Sequence, residues 1–349
     1  MIINSLNHSF SSEDFESFLK SYQNQYNFDS VSLDNDQLDL AQSIVKQLDN
    51  TQNLIIVSYG SSHLFIKNLI QFAPEKKVNF LFINHLDYKQ IQKQLLHISD
   101  QKNSVLFFSK SGETKEIFQM ASFLHKEFSF EKFIFTSSNL NSSLNKFTQS
   151  EGFPFFYFPS DLPNRFNLLS PIHLICILIF KIDLSLIQKN YSAYDINTQL
   201  APILHLHRLK GFSNLCLSYD SKPQKGLIEY LCNIWNESLG NSCFPIFAQP
   251  LYIPEFFHSS IEYYANSDSS YYLNLSYKDL NSYYQTLFTH FLKETNKPYS
   301  NIRIEDNISS SLILTKLFHQ VIFELGSLSQ GKAMEQNIVD KWKALSGPI

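Results

Sequence analysis

Between residues 45 and 187, short runs of consecutive apolar residues alternate with stretches whose apolar positions recur every three or four residues. Residues 54–57, 78–83, 104–108, 132–136 and 155–158 are segments built around such runs. Leu64, Ile66, Leu69 and Ile70 mark one intervening helix, and Ile117, Phe118, Ala121 and Leu124 mark another. A strand covered on both faces reads as a continuous apolar run, and strands separated by helices imply a parallel, doubly wound sheet. The alternation repeats further on: residues 214–218 as strand, 225–239 as helix, 244–247 and 271–275 as strands. Residues 1–44 read as amphipathic helix on Phe15, Phe18, Leu19, Leu38, Leu40 and Ile44. A helical segment over 168–187 bridges the two halves, and further helices are expected over 308–325 and 334–345. The longest apolar run, 172–180, is interrupted by His173 and is about half of the ~20 residues that a membrane span needs, so it predicts a buried helix.

The pattern predicts an α/β chain of two related, doubly wound parallel-sheet domains with a cleft between them and peripheral N- and C-terminal helices. The expected divisions are residues 1–44, 45–187, 188–325 and 326–349, the last a C-terminal helix closing the site. At 349 residues and 44% hydrophobic, the chain suffices for two such cores. A net charge of −4 without a basic cluster argues against a nucleic-acid partner. Cys176, Cys216, Cys232 and Cys243 form no C-x-x-C pair, which suggests packed, reduced thiols and a cytoplasmic setting. No signal-peptide pattern is visible at the start. A Walker loop and a glycine-rich dinucleotide fingerprint are both missing, which argues against a kinase or a nicotinamide enzyme.

Candidate chemistry begins where the strand runs end. Three of them finish in hydroxyl- and amide-rich loops, at 58–62, 109–114 and 136–139. Parallel sheets bind ligands outside the carboxyl ends of their strands, and N–H groups at a helix start attract an anion. The loop Ser109-Lys110-Ser111-Gly112-Glu113-Thr114, followed by Glu116, has that form. Glu237 falls in the last turn of its helix, before Gly240, where the helix dipole opposes a carboxylate and raises its pKa toward that of a general base. A lone glutamate there is ordinarily a solvated surface residue, and a lone His258 is ordinarily structural or exposed. Arg165 precedes a buried helix, an awkward place for a cation without an anionic partner. Gln336 and Lys343 are seven apart, on one face of a helix whose apolar stripe is Met334, Ile338, Trp342 and Leu345. A last-turn lysine also simply suits the helix dipole.

In order along the chain, these segments resemble the motifs of the glucose-6-phosphate isomerase family, which is built from sugar isomerase (SIS) domains. Ser58-Tyr59-Gly60-Ser61-Ser62-His63-Leu64 resembles G-x-G-G-S-x-L, and residues 109–114 resemble S-K-S-G-T-T. The Arg165 segment resembles G-G-R-F-S-x-L-S, residues 234–241 resemble L-F-G-E-S-E-G-K, and 256–259 resemble D-L-H-S. Residues 335–343 resemble D-Q-P-G-V-E-x-G-K. Ser61, Asn164, Asn167, Asn241, Phe256, Ile338 and Asp340 depart from the pattern.

The resemblance implies a glycolytic and gluconeogenic isomerase acting on a small-molecule sugar phosphate, with no metal or redox cofactor, no nucleic acid and no membrane. It makes Glu237 the base, His258 and Lys343 the ring-opening pair, Arg165 the stabiliser of the enediolate, and Glu116 the residue that orients the imidazole. Substrate contacts fall on Gly60, Ser62, Ser109, Lys110, Ser111, Thr114 and Gln336. It also implies a homodimer whose active sites are shared between subunits. Two alternatives stay open: a dual phosphoglucose/phosphomannose isomerase, and a non-catalytic sugar-phosphate-binding regulator.

Overall fold

The computed structural model describes residues 2–6, 35–73, 78–98, 102–159, 164–192, 200–221, 224–239, 246–277 and 283–328. Gly240, Gln336, Lys343, Cys243 and the helix expected over 334–345 lie outside the described residues. Two compact units emerge. One comprises the described residues from 30 to 184; the other comprises those from 185 onward together with the first strand, β1 (Ile2–Leu6).

In the unit spanning 30–184, α1 (Asn35–Gln47) leads into β2 (Asn53–Val57), α2 (Ser61–Ile70), β3 (Asn79–Ile83), α3 (Tyr88–Leu96) and β4 (Asn103–Phe108). Then follow α4 (Lys115–Glu127), β5 (Lys132–Ser137), α5 (Ser143–Glu151) and β6 (Phe155–Tyr157). All five strands are parallel, in the order β3-β2-β4-β5-β6. Chain order therefore reverses direction between β2 and β4. Right-handed crossovers then send α2 to one face and α3, α4 and α5 to the other. With both faces covered, every residue of β2 and β4 is buried, which is why their sequence runs are unbroken. Phe107 and Phe135 stack at 4.4 Å between ring centroids above Ile117, Met120 and Leu124.

Register is fixed at the opposite edge of the sheet by an amide ladder. Asn79 Nδ2 donates to Asn53 Oδ1 (3.0 Å), Asn53 Nδ2 to Asn103 Oδ1 (2.7 Å), and Asn103 Nδ2 to the Ile98 carbonyl (2.7 Å). The three asparagines are register partners across β3, β2 and β4. A one-residue slip leaves the buried amides of Asn53 and Asn103 unpaired, at about 1–3 kcal/mol for each group.

The single bridging helix expected over 168–187 is two helices, α6 (Pro171–Ile179) and α7 (Leu184–Ser192). Lys181 adopts a left-handed φ of 54° between them, which a continuing helix does not tolerate. The apolar run is a buried helix, as its length predicts, and α6 packs on α1 and α2. Among the described residues, no helix is long and apolar enough to cross a membrane.

The other unit continues with α8 (Leu200–Leu209), β7 (Asn214–Tyr219), α9 (Gln224–Leu239), β8 (Phe247–Tyr252), α10 (Ile253–Ser259) and α11 (Ile261–Asn266). It ends with β9 (Ser270–Tyr277), α12 (Tyr283–Glu294), β10 (Tyr299–Ile304) and α13 (Ile308–Leu328). Its sheet runs β1-β10-β9-β7-β8, the same winding with β1 added antiparallel at the edge. Three sequence expectations are corrected here. Residues 2–6 are strand instead of helix, β8 begins at Phe247 where the expected strand was to end, and the unassigned stretch before residue 308 holds α12 and β10. Crossover handedness places α9 on one face, where Trp235 meets Phe318 of α13, and α10, α11 and α12 on the other. That second face is aromatic: Phe256 packs on Tyr264, Phe288 and Phe291.

Candidate active site

Where β2 and β4 end, their following helices depart to opposite faces and leave a crevice, the place where open α/β sheets hold ligands. Gly60 after β2 has φ 78° and ψ −151°, a region only glycine occupies readily, and this turn delivers Ser61 and Ser62 into the first turn of α2. After β4, the Gly112 N–H donates to Ser109 Oγ (3.1 Å), and Ser109 Oγ lies 2.9 Å from Thr114 Oγ1. Thr114 is thus drawn away from capping α4, and α2 likewise has no side-chain cap. By contrast α3 is capped by Asp87 and α5 by Ser142. Among the four helices that connect the strands of this sheet, the two that open on the crevice are those whose first-turn N–H groups and positive dipole ends carry no side-chain cap, a standing attraction for an anion.

The third hydroxyl loop braces this one. Ser137 Oγ and the Ser138 N–H both donate to the Lys110 carbonyl (3.1 and 3.0 Å), and Asn139 Nδ2 donates to the Ser111 carbonyl (3.2 Å). Glu113, an acidic group in an anion loop, is turned outward: its carboxylate accepts the Ser143 N–H at 2.8 Å, at the start of α5. Gly112 has φ +65°, and a Cβ there would collide with Ser142 and come within 2.9 Å of Ser137 Oγ. Gly112→Ala is therefore expected to lower the melting temperature and to weaken binding of inorganic phosphate in calorimetric titration, because loop and brace must part. The left-handed backbone alone costs about 1–2 kcal/mol for a non-glycine residue.

Glu116, in the first turn of α4, faces Tyr59: burial first and then this carboxylate raise the phenol well above its usual range. His63, beside Ser62, is buried; Asn84 Nδ2 donates to its Nε2 at 2.9 Å, and burial, aided by Lys67, lowers its pKa to about 4. A buried imidazole directly after the 58–62 hydroxyl run is not a feature that the sequence alone announces. The signal available was its place directly after the hydroxyl run. Arg165 is 3% exposed on the short 3-10 turn Asn164–Phe166, with its guanidinium 5.0 Å from the Phe166 ring centroid. Gly60, Ser62, Ser109, Lys110, Ser111, Thr114, Glu116 and Arg165 all belong to this unit.

Glu237 and His258 belong to the other unit and are not brought together within it. Glu237 is half-buried in the last turn of α9. That turn is pinned to the start of β8 by Trp235 Nε1 donating to the Ile246 carbonyl (2.9 Å) and by Asn236 exchanging bonds with the Ala248 backbone (2.8 Å each). His258 is exposed on α10, past the other end of β8 and on the opposite face of the sheet.

No protein-family model matches the chain. A curated relative, a glucose-6-phosphate isomerase of Thermus thermophilus, is 27% identical over 175 residues, 45% of this chain and 42% of that protein. This is a divergent relative of the glucose-6-phosphate isomerases. The chain spans under half the length of that curated relative. In fold, it is similar to a hypothetical protein from Thermus thermophilus (TM-score 0.73, 18% identity, covering 96% of this chain and 93% of that one). It is also similar to a glucose-6-phosphate isomerase from Chlamydia trachomatis (TM-score 0.72, 16% identity, 98% and 80% covered). The architecture is thus that of two sugar isomerase folds. For a glucose-6-phosphate isomerase relative, several departures have visible packing reasons. Ser61 is buried in the first turn of α2, Asn167 Oδ1 accepts the Leu169 N–H (3.1 Å), and Phe256 fills an aromatic core.

Proposed function

We propose that this chain is a sugar-phosphate isomerase that interconverts glucose 6-phosphate and fructose 6-phosphate through a cis-enediol. The observation that carries the reading is the hydroxyl-lined crevice between β2 and β4 with two helix N-termini free of side-chain caps, in a relative of glucose-6-phosphate isomerases. The phosphate sits against Ser109, Lys110, Ser111 and Thr114, with Gly60 and Ser62 beside the sugar and Gln336 donating to it. Its binding energy holds the reacting carbons in place. His258, oriented by Glu116 and assisted by Lys343, opens the ring by serving the ring oxygen and its hydroxyl as acid and base. Glu237 takes the proton from C2 and returns it to C1, while Arg165 stabilises the negative charge that develops on the enediolate.

The opposite-face placement of Glu237 and His258 in one sheet supports a homodimer, in which each site takes its carboxylate from one copy and its imidazole from the other. A coupled assay with fructose 6-phosphate, run with and without chelator, tests the reading. Turnover that the chelator leaves unchanged is expected. Tight binding of the sugar phosphate with no turnover toward either glucose 6-phosphate or mannose 6-phosphate would replace the enzyme with a regulator.

A further inference from the structure

His173 interrupts the most apolar stretch of the chain, and the chemistry above gives it no part. Its side chain is fully buried in the first turn of α6. An imidazole in such a place is costly unless its polar atoms are met. Nδ1 lies 3.0 Å from the carbonyl oxygen of Asn167, in the turn that follows Arg165. Nε2 lies 3.3 Å from the carbonyl oxygen of Ser62, in the first turn of α2. The ring also packs on Phe65 of α2, with centroids 4.7 Å apart.

Burial lowers the pKa of His173 to about 4, so the ring is neutral near pH 7 and carries a single N–H. The shorter approach assigns that proton to Nδ1, donating to Asn167. Nε2 then carries a lone pair and makes no hydrogen bond to the Ser62 carbonyl, so the ring holds α2 by its packing on Phe65. One side chain therefore touches both the backbone that carries the guanidinium and the backbone that carries the hydroxyl loop, and all of these residues lie in one compact unit.

We infer that His173 is a positioning residue: its Nδ1–H bond to Asn167 and its packing on Phe65 hold the Arg165 turn against the start of α2 and so fix the spacing between the guanidinium and the Ser62 loop. The inference rests on the isomerase reading for its catalytic consequence, though not for the tether itself. The ordinary alternative is a histidine that only fills the core. The two differ in what substitution does, because displacing Arg165 by a fraction of an ångström weakens charge stabilisation in the transition state more than it weakens ground-state binding.

Three variants separate them. Asparagine presents its amide N–H near the place of Nδ1, glutamine presents it near Nε2, and phenylalanine fills the space with no donor. For His173→Phe, kcat with fructose 6-phosphate is expected to fall at least tenfold with KM changed less than threefold. His173→Asn should recover most of kcat and His173→Gln should not. In hydrogen exchange, amides of residues 164–170 should open at least tenfold faster in the Phe variant and near the wild-type rate in the Asn variant. A Phe variant that melts earlier but keeps wild-type kcat and exchange would overturn the tether, as would Asn and Gln variants that behave alike. Should the wild-type protein turn over no sugar phosphate, the isomerase reading falls while the exchange comparison still decides the tether. If His173→Phe does not fold, the Asn and Gln pair decides it by the same two readouts.

Discussion

Glu237→Gln is expected to reduce turnover of fructose 6-phosphate at least a thousandfold while its binding stays within about threefold of wild type. An amide keeps the shape of the carboxylate but cannot take the C1 proton of the ketose and deliver it to C2, and a positioned base contributes about 10²–10⁴-fold. The loss should fall on kcat, because the proposed ground-state contacts are those of the hydroxyl crevice and Glu237 is not among them. The end of α9 is held by Trp235 and Asn236, whose bonds to the Ile246 and Ala248 backbone do not involve position 237, and a melting curve of the variant separates loss of the base from loss of the fold. Exchange of solvent deuterium into C1 of fructose 6-phosphate isolates the step, since a variant that still opens the ring but lacks the base loses exchange along with turnover. A variant within a few fold of wild type in both measurements would place the base elsewhere.

How far the sequence discloses this protein depends on how local the cause is. The unbroken apolar runs of β2, β4 and β5 follow from burial on both faces, so a short window contains the whole signal. The hydroxyl loops are equally local, and so is Gly112, whose role in a tight, left-handed turn is visible in the loop itself. What escapes is set from a distance. Ile2–Leu6 is strand because β10, almost three hundred residues later in the chain, offers it an edge. The break between α6 and α7 sits at a left-handed Lys181, a residue type with no preference for that conformation, so nothing in its neighbourhood announces it.

The motifs themselves give chain order but not faces. Reading Glu237 and His258 as neighbours in a mechanism hides the sheet that lies between them, and it takes the order β9-β7-β8 with right-handed crossovers to show that their helices leave in opposite directions. The surroundings of His63 and His173 are hidden from the sequence for a related reason. Each is buried against groups from another segment, Asn84 in one case and Asn167 with Ser62 in the other. Buried polar side chains are explained by their partners, and those partners are not adjacent in sequence.

Mixing two inactive variants gives the second large effect. Glu237→Gln lacks the proposed base and His258→Ala lacks the ring-opening imidazole, so each homodimer alone should be nearly silent toward the closed sugar. If each site draws one group from each copy, a two-fold dimer containing one of each variant has one site with both defects and one site with none. Random reassortment makes half of the dimers mixed, so the recovered activity should approach about a quarter of wild type. The sheet supplies the physical reason: α9 and α10 leave β8 from opposite ends and toward opposite faces, so one copy presents Glu237 and His258 to different surroundings. Activity measured before and after co-denaturation and refolding of the pair supplies the comparison. Recovery near zero, with mixed dimers shown to form, means that both groups serve a site within a single copy, and the homodimeric assignment of His258 fails with it.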